Sequence, residues 1–287
     1  MIMSAKFGPA GSGDSFKALG YKSSLQIPEY LKKIGLDCFE YQCGRGVNIG
    51  SDKAKELGKI AKEQGIGISL HAPYYISMSS VEEDKRLNSV NYILASAKAV
   101  NDMGGDRIIV HTGSCGKISR ETALELAIDT MKIALNALKE NGLSHIHICP
   151  ETMGKVNQLG TLNEVIELCK IDDSLIPCID FGHLNARELG ILKTKSDFEK
   201  IFLEIKDKLG EDRLKAFHSH FSKIEYSQGG EKRHLTFEDN IYGPDFEPCL
   251  DLCVKYGCSP TFICESAGTQ AEDAKQMKDY YTSISKI

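Results

Sequence analysis

Eight short runs of apolar and β-branched residues alternate with longer amphipathic segments along this chain, and that alternation limits the fold more than any other feature. The runs are Ala5 to Pro9, Cys38 to Cys43, Gly67 to Ala72, Arg107 to Thr112, His145 to Glu151, Ile176 to Asp180, Ala216 to Phe221 and Thr261 to Glu265. Each has the length of a strand, and the segments between them repeat apolar positions every three or four residues, as a helix with one buried face does. The helical period is clearest over residues 51–65, 82–104 and 119–142, each closed by a glycine able to take the left-handed backbone of a helix C-terminus. Strand-then-helix succession demands a parallel sheet, because parallel neighbours need a crossover connection.

Eight such units in 287 residues match one closed α/β barrel, the (β/α)8 or TIM barrel, as a single domain over residues 1–287. An open doubly wound sheet would carry a glycine-rich phosphate loop after its first strand. The segment GPAGSG at residues 8–13 has neither the GxGxxG spacing nor a following GK[ST], so it reads as a βα loop. Hydrophobic residues at 41% and charged residues at 26% allow a sizeable core. No run approaches the roughly 18 apolar residues of a membrane span, and the start has no basic segment leading into an apolar one. A cytoplasmic monomer with no membrane attachment is the expectation. The ten cysteines are scattered, several within apolar strands, and read as reduced buried thiols. No CxxC pair occurs, so a metal would be held by imidazole and carboxylate. A net charge of −5 provides no global basic field, so any nucleic acid must meet local cations.

In such a barrel the active site gathers at the C-terminal strand ends. There the chain places His71, His111, Glu151, Asp180 with His183, His218 with His220, His234 in the following loop, and Glu265. One such residue at a strand end is usually structural. A series across six consecutive strands would repel or stay unsatisfied unless cations neutralised it. Donors of this kind suit zinc, and manganese or iron would accept them too. No GxSxG motif and no oriented Cys/His dyad points to a protein nucleophile.

From the second strand to the eighth, these motifs in this order resemble the endonuclease IV family of abasic-site endonucleases. The resemblance implies a zinc-dependent phosphodiesterase that cuts DNA at apurinic and apyrimidinic sites, with two or three zinc ions. It implies one ion on His71, His111 and Glu151, with Glu151 bridging to a second held by Asp180, His218 and Glu265; Glu151 and Glu265 become the catalytic carboxylates. A third ion would fall to His183 and a DxH motif whose final residue matches His234. Two positions before His234 stands Lys232, with Glu231 the nearest carboxylate, so the third site is left open. His220, on the strand face of His218, is expected to support the ligands or to replace one. The family's GxHxS pattern on the first strand is replaced by KFGPAGSGDSF, which marks a divergent branch. Family members press side chains into DNA from the loops after strands two and three, and the matching positions are Arg45, Tyr74 and Tyr75. His145 and His147 lie four to six residues before Glu151, roughly 13 to 20 Å below the site, and are structural.

A sugar isomerase or epimerase of the xylose isomerase-like superfamily is the rival reading, with one ion on Glu151, Asp180, His218 and Glu265. It leaves His71, His111, His183 and His234 without a task. A barrel that binds nucleic acid or sugar phosphate without catalysis is the third reading.

Overall fold

All eight expected strands form, as β1 (Lys6–Pro9), β2 (Cys38–Gln42), β3 (Gly67–His71), β4 (Arg107–Val110), β5 (His147–Pro150), β6 (Cys178–Asp180), β7 (His218–Phe221) and, last in the chain, β10 (Thr261–Cys264). Between β7 and β10 lies a hairpin that the sequence reading left as loop, β8 (Ile224–Ser227) and β9 (Gly230–His234). The computed structural model describes residues 4–285, so the extreme ends of the expected 1–287 domain lie outside the described residues.

The strands pair in parallel in the orders β1-β10-β7-β6 and β2-β3-β4-β5. Two single bridges, Ala10 to Glu40 and Glu151 to Cys178, join these halves and close the ring. The result is a TIM barrel. Alternation along each strand divides its side chains between two cores. Outward residues such as Phe7, Phe39, Leu70, Ile148 and Phe262 pack under the surrounding helices in one large cluster. The interior is filled separately by Ala10, Cys38 and Ile263 on one side and by Ile109, Cys149 and Cys178 on the other. At the β1–β2 seam the inward residue is Gly8, and a Cβ there would stand 1.8 Å from the Cys38 carbonyl oxygen. Glycine therefore lets the seam close.

The helices run over Ser51–Gln64, Glu83–Asp102 and Arg120–Glu140 where the period was clearest. Gly65 ends the first with φ +72°. Boundaries shift elsewhere for local reasons. His145 precedes β5 and its Nε2 meets Asn101 Oδ1 at 2.8 Å, while His147 Nδ1 meets the Ser174 carbonyl oxygen at 2.6 Å. Both are anchored at the N-terminal end of the barrel, away from the strand ends that matter. Ala216 ends a helix, Glu211–Ala216, instead of beginning β7. All ten cysteines are free thiols and buried. Burial pushes the Cys149 thiol up to about 12, which leaves it unreactive. Among the described residues no helix is long and apolar enough to cross a membrane.

Candidate metal centre

Glu151 ends β5 with its carboxylate at the centre of a ring of imidazoles. Its Oε2 lies 3.4 Å from His71 Nε2 and 3.2 Å from His111 Nε2, and its Oε1 lies 2.9 Å from His220 Nδ1 and 3.4 Å from His183 Nδ1. These distances follow from parity. His71, His111, Glu151, Asp180 and His220 all fall on inward positions at the top of their strands, so barrel closure brings them together. Five overlapping groups of donor atoms result, of which three matter for the expected ions: His71, His111 and Glu151; Glu151, Asp180, His220 and Glu265; and His183, Glu231 and His234; the other two are His71, His220 and Glu265, and Cys178, His218 and His220.

His218 joins none of these three; it falls with Cys178 and His220, apart from the Asp180 and Glu265 with which the second ion was expected to place it. It is also inward, but two residues earlier on β7 and therefore about 6.6 Å lower in the barrel. There its Nε2 meets Glu40 Oε2 at 3.0 Å. His220 occupies the place expected for His218, with Nδ1 also 3.7 Å from Glu265 Oε2.

The third group depends on the hairpin. On a regular strand Glu231 and His234 would face opposite sides, since their separation is odd. In the ladder Glu225 pairs with Arg233 while the next residue, Tyr226, pairs with Glu231. Lys232 is thus the extra residue of a β-bulge, and the bulge restores the phase. Lys232 and Arg233 both bind Glu225 across the ladder, which holds the bulge on its outer face. Gly230, at φ +88°, lies so close to the loop after β5 that a Cβ would stand 2.1 Å from the Gly154 carbonyl oxygen. That contact seats Glu231 with Oε2 3.4 Å from His183 Nε2.

Three of the imidazoles are oriented by their remote nitrogen. His71 Nδ1 meets the Ala72 carbonyl oxygen at 2.8 Å, His183 Nδ1 the Thr152 carbonyl oxygen at 2.9 Å, and His234 Nδ1 the Ser222 hydroxyl at 2.8 Å. In each case Nε2 is left facing the cavity, the pattern of a metal-binding imidazole. Asp180 caps the helix Phe181–Arg187 through Oδ1, accepting from the His183 backbone N–H at 2.7 Å. Its Oδ2 and Glu151 Oε2 are buried without a hydrogen-bond partner. A buried charged oxygen without a partner costs about 1–3 kcal/mol or more, and a cation between these atoms would satisfy both.

Electrostatics agree. Burial opposes charge on His183, but Asp180 and Glu151 outweigh it and raise the imidazole to about 10. His71 is also raised, with Glu151 overcoming burial, whereas burial prevails at His111 and lowers it. Burial resists the Glu151 charge too, yet His220 and the other imidazoles hold its carboxyl well below the usual range. Burial dominates at Asp180, whose carboxyl is raised despite His183. Without a cation, protons on the imidazoles do the neutralising.

The centre opens into a cavity of about 400 Å³ that also takes in Tyr74, Lys155 and Gln158. The Tyr74 ring stacks on His111 with centroids 5.3 Å apart and meets His71 edge-on at 5.5 Å. A Cβ on Gly44 would stand 2.6 Å from that ring, so the loop after β2 lies directly beneath it. Tyr75 turns the other way, its ring 5.9 Å from Tyr92, and does not line the cavity. Arg45 is exposed on the β2 loop, outside the cavity lining. Sequence reading missed Glu40, Ser222 and Lys155. Glu40 had a signal, a carboxylate in the apolar run CFEYQ in phase with inward Cys38 and Gln42.

The family model described as xylose isomerase-like TIM barrel matches residues 28–284. An uncharacterised protein of Methanocaldococcus jannaschii is 32% identical over 272 residues, covering 95% of this chain and 94% of that protein. A probable endonuclease 4 of Persephonella marina is 25% identical over 236 residues, covering 79% of this chain and 80% of its own. Among solved structures, a D-tagatose 3-epimerase-like protein superposes with a TM-score of 0.73 at 19% identity, covering 98% of each chain, a likeness of fold.

Proposed function

The chain belongs to the xylose isomerase-like TIM barrel family, and from that membership and its donor groups we propose that it is a multinuclear metal-dependent phosphodiesterase acting on DNA at abasic sites. The observation that carries this reading is the third donor group, His183, Glu231 and His234. A sugar isomerase or epimerase needs one ion, for which Glu151, Asp180, His220 and Glu265 suffice. Here His71, His111, His183, Glu231 and His234 also converge at the rim, and the bulge at Lys232 brings a carboxylate to the third group. The curated relatives named probable endonuclease 4 support the same reading.

Imidazole and carboxylate donors without thiolate suit zinc, two or three ions per chain, with manganese or iron acceptable. Bound cations would activate a water, clamp a phosphodiester and stabilise the departing oxygen. Glu151 would bridge the first two groups, and Glu265, 15% exposed at its side chain, would face both that pair and the open cavity. Exposed Lys155 at the cavity wall would meet phosphate, compensating for the net negative chain. Tyr74 would stack against the unpaired nucleotide, with Arg45 and Tyr75 approaching the duplex from the rim.

The test is incubation of purified protein with a duplex carrying a tetrahydrofuran abasic analogue, with and without a chelator. A nick 5′ to the analogue that chelation abolishes is expected. Aldose–ketose exchange or epimerisation with one equivalent of metal and no nicking would favour the isomerase.

A further inference from the structure

Glu40 is fully buried on β2, beneath the donor groups, and none of those groups includes it. Both of its oxygens are occupied. Oε1 accepts from Gln42 Nε2 at 3.3 Å and lies 3.0 Å from His220 Nε2; Oε2 accepts from Ser69 Oγ at 3.0 Å and lies 3.0 Å from His218 Nε2. Three hydrogen bonds and the close His220 contact enclose the carboxylate on every side, and it falls in no donor group. Its surroundings fix it in place: β2, β3 and β7 each contribute a donor.

His220 is the imidazole that needs such an anchor. The rings of His71, His183 and His234 are held by a carbonyl or hydroxyl on Nδ1 and face the cavity with Nε2. His220 is reversed: Nδ1 faces Glu151 and Glu265, and Nε2 points down to Glu40. A proton held on Nε2 leaves the Nδ1 lone pair free for a cation, and a carboxylate partner makes that nitrogen a stronger donor than a carbonyl partner would.

We infer that Glu40 is a positioning residue for the cation shared by Glu151, Asp180, His220 and Glu265, fixing which ring nitrogen of His220 meets the ion. His218 and Ser69 serve the same end one step further away, by keeping the Glu40 carboxylate from turning. This rests on the metal-centre reading above, and it concerns how tightly and in what geometry an ion is held, not which substrate is cut.

The experiment uses the full chain, stripped of metal and reloaded. Zinc affinity is measured by competition with a chromophoric chelator, and the visible spectrum of the cobalt(II)-loaded protein is recorded, for wild type, Glu40→Ala, Glu40→Gln and Ser69→Ala. Glu40→Ala should weaken one zinc equivalent by about 10- to 100-fold and change the cobalt spectrum. Glu40→Gln, whose amide oxygen can still accept from His220, should recover part of both. Ser69→Ala, a small change that leaves the carboxylate in place, should give a lesser loss and covers the case in which Glu40→Ala does not fold. Wild-type affinity and spectrum in Glu40→Ala, or in Ser69→Ala and Glu40→Gln together, would overturn the inference alone. A wild-type chain that takes up no cation would overturn the metal-centre reading with it.

Discussion

Glu231 and His234 stand three residues apart on one strand, yet both turn towards His183, because the bulge at Lys232 shifts the strand by one residue. Glu231→Ala should therefore cost one metal equivalent per chain. Deleting Lys232 should not: it removes the bulge and the odd spacing together, so the carboxylate and imidazole again share a face. Elemental analysis of dialysed protein decides this. A full metal complement in Glu231→Ala would show that the third group holds nothing.

Glu151 belongs to two donor groups, one with His71 and His111 and one with Asp180, His220 and Glu265. Glu151→Ala should lose about two equivalents and leave no detectable cleavage, since one substitution removes a ligand from both ions. Retained nicking of an abasic duplex would place the reaction elsewhere.

Metal-stripped protein should lose thermal stability as pH rises from about 6.5 to about 10. The His183 imidazole, near 6.5 in an unfolded chain, is raised to about 10 in the fold by Asp180 and Glu151 against the effect of burial. A raised pKa contributes stability that is fully present below the unfolded value and disappears as pH climbs through the folded one. His71 shifts in the same direction, while His111 and His218 are lowered, the latter to about 4, and titrate below this window. Tm measured in chelator across this range should fall, and loaded protein should lack the decline. A rising Tm in chelator would contradict the assignment.

Tyr74 forms the cavity wall and Tyr75 does not, although both side chains are more than half exposed. A stacked base is worth about 1–3 kcal/mol, so Tyr74→Ala should weaken binding of an abasic duplex by about tenfold with metal content unchanged. Tyr75→Ala should do less. Fluorescence anisotropy with a labelled duplex compares them, and the opposite ranking would make Tyr75 the contact residue.

Arg187 is buried, and among the described residues no carboxylate forms an ion pair with it. Its guanidinium donates to the carbonyl oxygens of Met153, Lys155, Val156 and Gln158, at 2.7 to 3.2 Å, and so fixes the loop that carries Lys155 and Gln158 into the cavity. Arg187→Ala leaves those oxygens short of a donor and should destabilise by about 3 kcal/mol. Urea unfolding measures this. A change below about 0.5 kcal/mol, the range of ordinary surface substitutions, would mean that Arg120, which donates to the Val156 and Gln158 carbonyl oxygens at 3.0 Å, and the backbone bonds to Cys115, Gly229 and Glu231 hold the loop without it.

Much of the barrel was legible because strand and helix periods are local. Each inward or outward position follows from parity along a few residues, and the glycines that close the helices are read in place. The same parity put His71, His111, Glu151, Asp180 and Glu265 at one rim. It could not separate His218 from His220, because both are inward and only the height at which β7 enters the barrel distinguishes them. Nor could it show the bulge, since the register of β9 is set by its partner β8 and by the contact of Gly230 with Gly154.

By itself, then, the order of residues determined an eight-fold alternation and a supply of imidazoles and carboxylates at the strand ends, since these depend on covalent neighbours and side-chain chemistry. Tertiary structure alone decided that His220 and not His218 reaches Glu151 and Glu265, that Glu231 lies beside His183 and His234, and that Glu40 lies beneath them all. Those outcomes depend on relative strand height and register, which are settled when distant segments pack and not within any one of them.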